Sequence, residues 1–103
     1  PEKNIFHMGK YTFDYGHRTL TIGDNARILT SREADLLRMF AINFNQVVER
    51  ASVLQKIWKD DSFFAARSMD VYITRLRHYL KGDPTMQIVN IHSVGFKLTQ
   101  VQE

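Results

Sequence analysis

The chain contains no cysteine among its 103 residues. That excludes a disulfide framework, a thiolate metal site and a cysteine nucleophile, and it agrees with a reducing compartment such as the cytoplasm. Two prolines and five glycines leave little material for flexible linkers, and no repeat or low-complexity tract is present. No apolar run approaches the roughly 18 residues needed to cross a bilayer, so no membrane association is expected. No signal-peptide pattern opens the chain. The four histidines, His7, His17, His78 and His92, fall in separate segments without the short spacing of a metal pair. There is no glycine-rich phosphate loop and no nucleophile–base pair. Neither an enzyme, nor a bound metal, nor a cofactor is expected.

What the chain has is enough apolar material for one core. Hydrophobic residues make up 44% and aromatics 12%, which suits a single domain over residues 1–103, with residues 1–4 read as linker. Short alternating segments between Gly, Asp and Asn predict four antiparallel strands over Ile5–Met8, Tyr11–Asp14, Thr19–Ile22 and Ala26–Leu29. Thr30-Ser31-Arg32-Glu33 then has the form of a capping box. Leu36, Leu37, Phe40 and Phe44 behind it, with Ala34 and Ala41 as small partners, predict a helix from Ser31 to about Asn43. Val47-Val48 reads as a short extended piece. A second helix is expected from about Arg50 to Trp58, with Leu54, Ile57 and Trp58 inward. Lys59–Ala66 reads as a loop and Arg67–Leu80 as a third helix, stopped by Lys81-Gly82-Asp83-Pro84. Gln87–Ile91 and Phe96–Val101 predict a hairpin with Gly95 near its turn.

The third helix carries the functional signal. Wound at about 100° per residue, it places Met69, Ile73, Leu76 and Leu80 on one face, to be buried. Ser68, Val71 and Arg75 gather on the other, with Tyr72 beside them and Arg67, Thr74 and Arg77 at the flanks. Small, methyl-bearing and guanidinium groups suit base-pair edges in a DNA major groove. Charge agrees. The chain is +3 with histidine neutral, and Arg67, Arg75, Arg77 and Lys81 against Asp70 account for all of that excess within residues 67–81. A basic excess confined to one helix is an electrostatic footprint rather than a solubility device.

Four strands, three helices with the last one basic, and a closing hairpin describe an α+β winged helix-turn-helix: an N-terminal four-stranded antiparallel sheet, three helices and a C-terminal β-hairpin wing. The chain resembles the DNA-binding effector domain of bacterial OmpR/PhoB-type response regulators from about Ile5 to Leu98. Leu29-Thr30-Ser31-Arg32-Glu33 with Leu36-Leu37 resembles the opening of the family's first helix. Leu54 with Ile57-Trp58 resembles the end of its second. Arg67-Ser68-Met69-Asp70-Val71 with Arg75-Leu76-Arg77 resembles its recognition helix, and Val94-Gly95-Phe96 its wing. The resemblance implies transcriptional control in a two-component system: a phosphorylated receiver domain upstream, a sensor kinase, and a second copy bound head to tail on tandem repeats of double-stranded DNA. It also implies a loop facing RNA polymerase, here Lys59, Asp60, Asp61, Ser62 and Phe63.

Within that frame Arg75 is the expected reader of guanine O6 and N7, and Val71 a contact for a thymine methyl. Ser68 and Tyr72 are neighbouring base-facing candidates. Arg67, Thr74 and Arg77, with the Trp58 indole N–H, are expected at phosphates. Asp70 is expected to hold an arginine in place. Asn90, His92 and Phe96 are the wing candidates. Two positions depart from the family pattern. The wing's usual Arg-Gly is His92-Ser93, and a histidine is mostly uncharged at slightly alkaline pH, so the wing contact should strengthen as pH falls. Glu49 stands where Ser or Thr usually caps the second helix. The competing reading, a winged helix used as a protein-interaction module, requires a more apolar, less charged face than this one.

Overall fold

A computed structural model describes residues 4–102; of the linker read over residues 1–4, only Asn4 lies among them. The first four strands, β1 (Ile5–Met8), β2 (Tyr11–Asp14), β3 (Thr19–Ile22) and β4 (Asn25–Ile28), form an antiparallel meander in sequential order. Alternation sets its inner face: Phe6, Met8, Tyr11, Phe13 and Leu20 are buried, as a half-buried antiparallel sheet requires. The fourth strand begins and ends one residue earlier than the sequence suggests. Leu29 is instead a buried hinge residue whose N–H donates to the Arg18 carbonyl at 2.7 Å.

Helix α1 (Ser31–Ile42) starts with the expected capping box. Thr30 Oγ1 accepts from the Glu33 N–H at 3.2 Å, and Glu33 Oε1 accepts from the Thr30 N–H at 2.9 Å. Ala34, Leu36, Leu37 and Phe40 are fully buried, and Ala41 lies at the margin of the core. Phe44, counted with this apolar stripe, lies past the helix end and is exposed. Strand β5 (Val48–Glu49) leads straight into α2 (Arg50–Val53), which widens into a π-helical turn over Leu54–Trp58. Periodicity does not reveal such a turn, because it shifts the register by one residue within a few positions. Glu49 occupies the N-cap of α2 without a side-chain capping bond.

Helix α3 (Phe63–Tyr79) begins four residues before the expected Arg67. Ser62 is its N-cap: Oγ accepts from the Ala65 N–H at 3.1 Å. Asp60 fixes that cap by accepting from the Ser62 N–H at 2.9 Å and from its hydroxyl at 3.0 Å. Phe63 and Phe64 therefore sit in a first helical turn, 68% and 81% exposed, where the sequence reading had a loop. Met69, Ile73, Leu76 and, just past the helix end, Leu80 are buried as expected. At roughly 1.5–3 kcal/mol per buried large apolar side chain, this stripe fixes the rotation of α3 and hence the face it turns outward.

Strands β6 (Met86–Ile91) and β7 (Gly95–Gln100) form the hairpin, and β5 adds to β7, giving a three-stranded sheet of order β5-β7-β6. The two sheets are joined through the segment after α3. Tyr11 donates its hydroxyl hydrogen to the Tyr79 carbonyl at 2.9 Å and accepts from the Gly82 N–H at 2.8 Å. Asp83, buried, accepts from the Lys10 N–H at 2.8 Å and from the Thr85 hydroxyl at 2.7 Å.

Candidate nucleic-acid interface

The outward face of α3 is assembled by packing on its other side. Val71 is half exposed, and Arg67, Thr74 and Arg75 are exposed, while Ser68 and Tyr72 are half-buried. With the half-buried Arg77, all seven sequence-predicted residues of this helix keep some surface exposed. Their local chemistry differs from residue to residue.

Arg75 lies over the Tyr72 ring, 4.7 Å from its centroid, and its Nη1 is 3.7 Å from Glu33 Oε2. The second distance is an ion pair and too long for a hydrogen bond, so the guanidinium fork keeps its donors. Tyr72 is the platform under it, and Trp58 meets that ring edge-on at 5.5 Å. Arg32 of α1 covers the other part of Trp58 at 5.0 Å. Arg32, Trp58, Tyr72, Arg75 and Glu33 thus run as a closed band from α1 through the π turn to α3 and back. Glu33 also accepts from the Tyr79 hydroxyl at 2.8 Å. That bond, followed by burial, raises the Tyr79 pKa above the ordinary tyrosine value.

Three donors assigned to phosphates are engaged elsewhere. The Trp58 indole N–H donates to Ser68 Oγ at 3.1 Å, so a phosphate would have to displace Ser68. Arg77 donates Nε to the Ile88 carbonyl at 2.9 Å and Nη2 to Asn90 Oδ1 at 2.8 Å, joining α3 to β6. Sequence periodicity carries no trace of these tertiary partners. Thr74 returns its hydroxyl to the Asp70 carbonyl at 3.1 Å. Asp70 holds an arginine as expected, and that arginine is Arg50: Nη1 to Oδ1 is 3.1 Å, with the guanidinium 5.5 Å from the Phe96 ring centroid. Arg50 was absent from the sequence-derived set.

The wing divides in the same way. His92, Ser93 and Val94 are the exposed tip, and Ser93 adopts a left-handed φ of 62°. A family glycine at that position answers to this conformation, which costs a side-chain-bearing residue about 1–2 kcal/mol. Phe96 does not belong to the tip. It is buried and meets Phe40 edge-on at 6.2 Å, because alternation along β7 turns Phe96 and Leu98 to the core. Between α3 and the wing lies a cleft of about 420 Å³ rimmed by Arg50, Asp70, Thr74, Arg77, Asn90 and His92. Of the loop expected to face polymerase, Lys59, Asp60 and Asp61 remain loop, Ser62 is a cap, and Phe63 is helical. Among the described residues no cluster of metal-ligating side chains occurs, and no helix is long and apolar enough to cross a membrane.

An exposed, cation-bearing third helix, a preceding helix packed across it and a hairpin beside it define a winged helix-turn-helix domain. The family model for the C-terminal part of transcriptional regulatory proteins matches residues 24–98, and the chain belongs to that family, the effector domains of OmpR/PhoB-type response regulators. The transcriptional regulatory protein RprY of Bacteroides fragilis is 46% identical over 97 residues, which are 94% of this chain and 41% of that protein. The response regulator ArlR of Staphylococcus aureus is 33% identical over 97 residues, 93% of this chain and 44% of that protein. The solved structure of DrrB from Thermotoga maritima, an OmpR/PhoB homolog, superposes with a TM-score of 0.80 at 27% identity, covering 95% of this chain and 45% of that one. The chain therefore spans less than half the length of these relatives.

Proposed function

We propose that this domain binds double-stranded DNA sequence-specifically as the effector domain of a transcription-controlling response regulator. Helix α3 lies in the major groove and the wing tip approaches the adjacent minor groove. The observation that carries the reading is the outward face of α3, where Val71 and Arg75 stand exposed at the centre and Arg67 and Thr74 at the edge, with the opposite face buried. Arg75, held over the Tyr72 ring, offers a bidentate fork to guanine; Val71 offers a methyl surface to thymine; Ser68 lies beside them. Arg67 meets a phosphate, and Thr74 does so once its hydroxyl turns away from the Asp70 carbonyl.

In the longer protein, a receiver domain phosphorylated by a sensor kinase controls two such domains placed head to tail on direct repeats. The Lys59–Ser62 loop and the first turn of α3 then face RNA polymerase. Work on DNA places the protein in the bacterial cytoplasm.

Selection of duplexes from a random pool at about 150 mM salt, run for wild type, Arg75→Ala and Arg67→Ala, tests the division of roles. Arg75→Ala is expected to cost roughly 1–3 kcal/mol and to relax one base pair per half-site. Arg67→Ala is expected to weaken all sequences alike and to reduce the salt slope by about one phosphate's share. Equal weakening on every sequence by both variants would remove the assignment of Arg75 to a base.

A further inference from the structure

We propose that Arg77 is a strap that fixes the wing relative to the recognition helix, and that Asn90 is its anchor, so that the pair acts on DNA through the position of the wing tip. The proposal rests on the DNA-binding reading above and gives Arg77 a different task from a phosphate contact.

The hairpin is held on its two sides by different means. On the β7 side, β5 pairs with it through Val48 and Glu49, and the Arg50 N–H donates to the Val94 carbonyl at 3.1 Å. On the β6 side no further strand lies among the described residues, since the order is β5-β7-β6. There Arg77 supplies what a strand would. Its Nε donates to the Ile88 backbone carbonyl and its Nη2 to the Asn90 side chain. A guanidinium can hold both acceptors at once because its donors are fixed in one plane, which an ammonium on a flexible stem cannot reproduce. Two of the five Arg77 donors are used in this way.

The lever arm gives the contact its consequence. His92 lies four residues beyond Ile88, roughly 13 Å along a strand at about 3.3 Å per residue. A tilt of about 10° at the strap therefore moves the tip by roughly 2 Å, enough to break a hydrogen bond or a groove contact. The wing then engages only when α3 does, in one fixed offset.

Asn90 is exposed, so Asn90→Ala opens no cavity and the variant folds. Hydrogen exchange on the DNA-free domain is the first readout: Asn90→Ala and Arg77→Lys should both speed exchange in β6 and at the wing tip while leaving α1 unchanged. The second is binding to the selected duplex with hydroxyl-radical footprinting. Asn90→Ala should lose about three- to tenfold in affinity through lost preorganisation, with protection reduced at the wing flank and kept opposite α3. Arg77→Lys should match it, and the Arg77→Ala/Asn90→Ala double variant should bind no worse than Arg77→Ala alone. The proposal is overturned if Asn90→Ala keeps wild-type exchange, affinity and footprint, with Arg77→Ala only lowering the salt slope. If wild type enriched no duplex, the DNA reading would fail and the positioning role with it. Exchange in the free domain would still decide whether the strap holds the wing.

Discussion

Gly95 is the position where a single methyl group should do the most damage to the wing without touching a charge. It opens β7 opposite Glu49, and a Cβ placed there would run into the Val48 carbonyl oxygen and lie 2.9 Å from Glu49 Cα. Both are backbone atoms, so no rotamer change relieves the clash; the β5–β7 ladder must move. Overpacking of this kind costs about 1–3 kcal/mol. Loss of the adjoining Arg50 N–H to Val94 carbonyl bond adds about 1 kcal/mol. Gly95→Ala is therefore expected to lose roughly 2–4 kcal/mol from a domain whose total is on the order of 5–15 kcal/mol. It should fold, with its urea midpoint lowered by about 1–2 M at a slope of about 2 kcal/mol per M. Gly23→Ala supplies the contrast. Gly23 has a φ of +55° and nothing within 4 Å of its would-be Cβ, so its cost is the left-handed backbone alone, about 1–2 kcal/mol. In Gly95→Ala, fast amide exchange should appear at Glu49 and Arg50; in Gly23→Ala it should not. A Gly95→Ala variant within about 0.5 kcal/mol of wild type would refute the close approach of β5 to β7 on which the wing's placement depends.

Two further outcomes follow from charge. The Asp83 carboxyl is held below the usual carboxylate range, first by the Thr85 hydroxyl and then by the Lys10 N–H; its native pKa lies below the unfolded one, so its contribution is complete above about pH 4 and lost as pH falls through the native value. Asp83→Asn should be less stable at neutral pH and have a flatter acid limb by urea unfolding between about pH 3 and 7, although Asp14, lowered by its hydrogen bonds with His17, leaves some slope; superimposable acid limbs would sink the assignment. At the wing tip, a permanent cation suits a narrow minor groove, so His92→Arg should raise duplex affinity at about pH 7.5, and unchanged affinity in His92→Arg would remove the wing tip from DNA contact.

Strand alternation, the Thr30–Glu33 box and the Met69, Ile73, Leu76, Leu80 stripe were legible in the sequence because each is a local pattern enforced by burial of one face. The start of α3 was not. Phe63-Phe64 looks like core material, yet both rings face solvent, and the cap depends on Asp60 holding Ser62, an arrangement with no fixed spacing rule. Phe96 lies in the second strand of the wing as the sequence suggests, but its ring is buried against Phe40, a tertiary contact that the Val94-Gly95-Phe96 motif does not reveal.

The outer face of α3 was legible as a set and illegible as a division of labour. A helical wheel gives Trp58, Tyr72, Arg75 and Arg77 no partners, whereas the fold gives Trp58 to Ser68, Tyr72 to Arg75, Arg75 to Glu33, and Arg77 to the wing. Under the proposed DNA-binding reading, these contacts separate residues that face the groove from residues that hold those residues still. A recognition surface needs both, because a base reader held within about 0.5 Å gains more than one free to search. The same reasoning explains Arg50 and Asp70. Their salt bridge is exposed and adds little to stability on its own, but Arg50 starts α2, Asp70 sits in the first half of α3, and Val94, whose carbonyl accepts the Arg50 N–H, is the last turn residue before β7. Helix α2, helix α3 and the wing are therefore tied at Arg50 on one side of the cleft, and α3 and the wing again at Arg77 on the other.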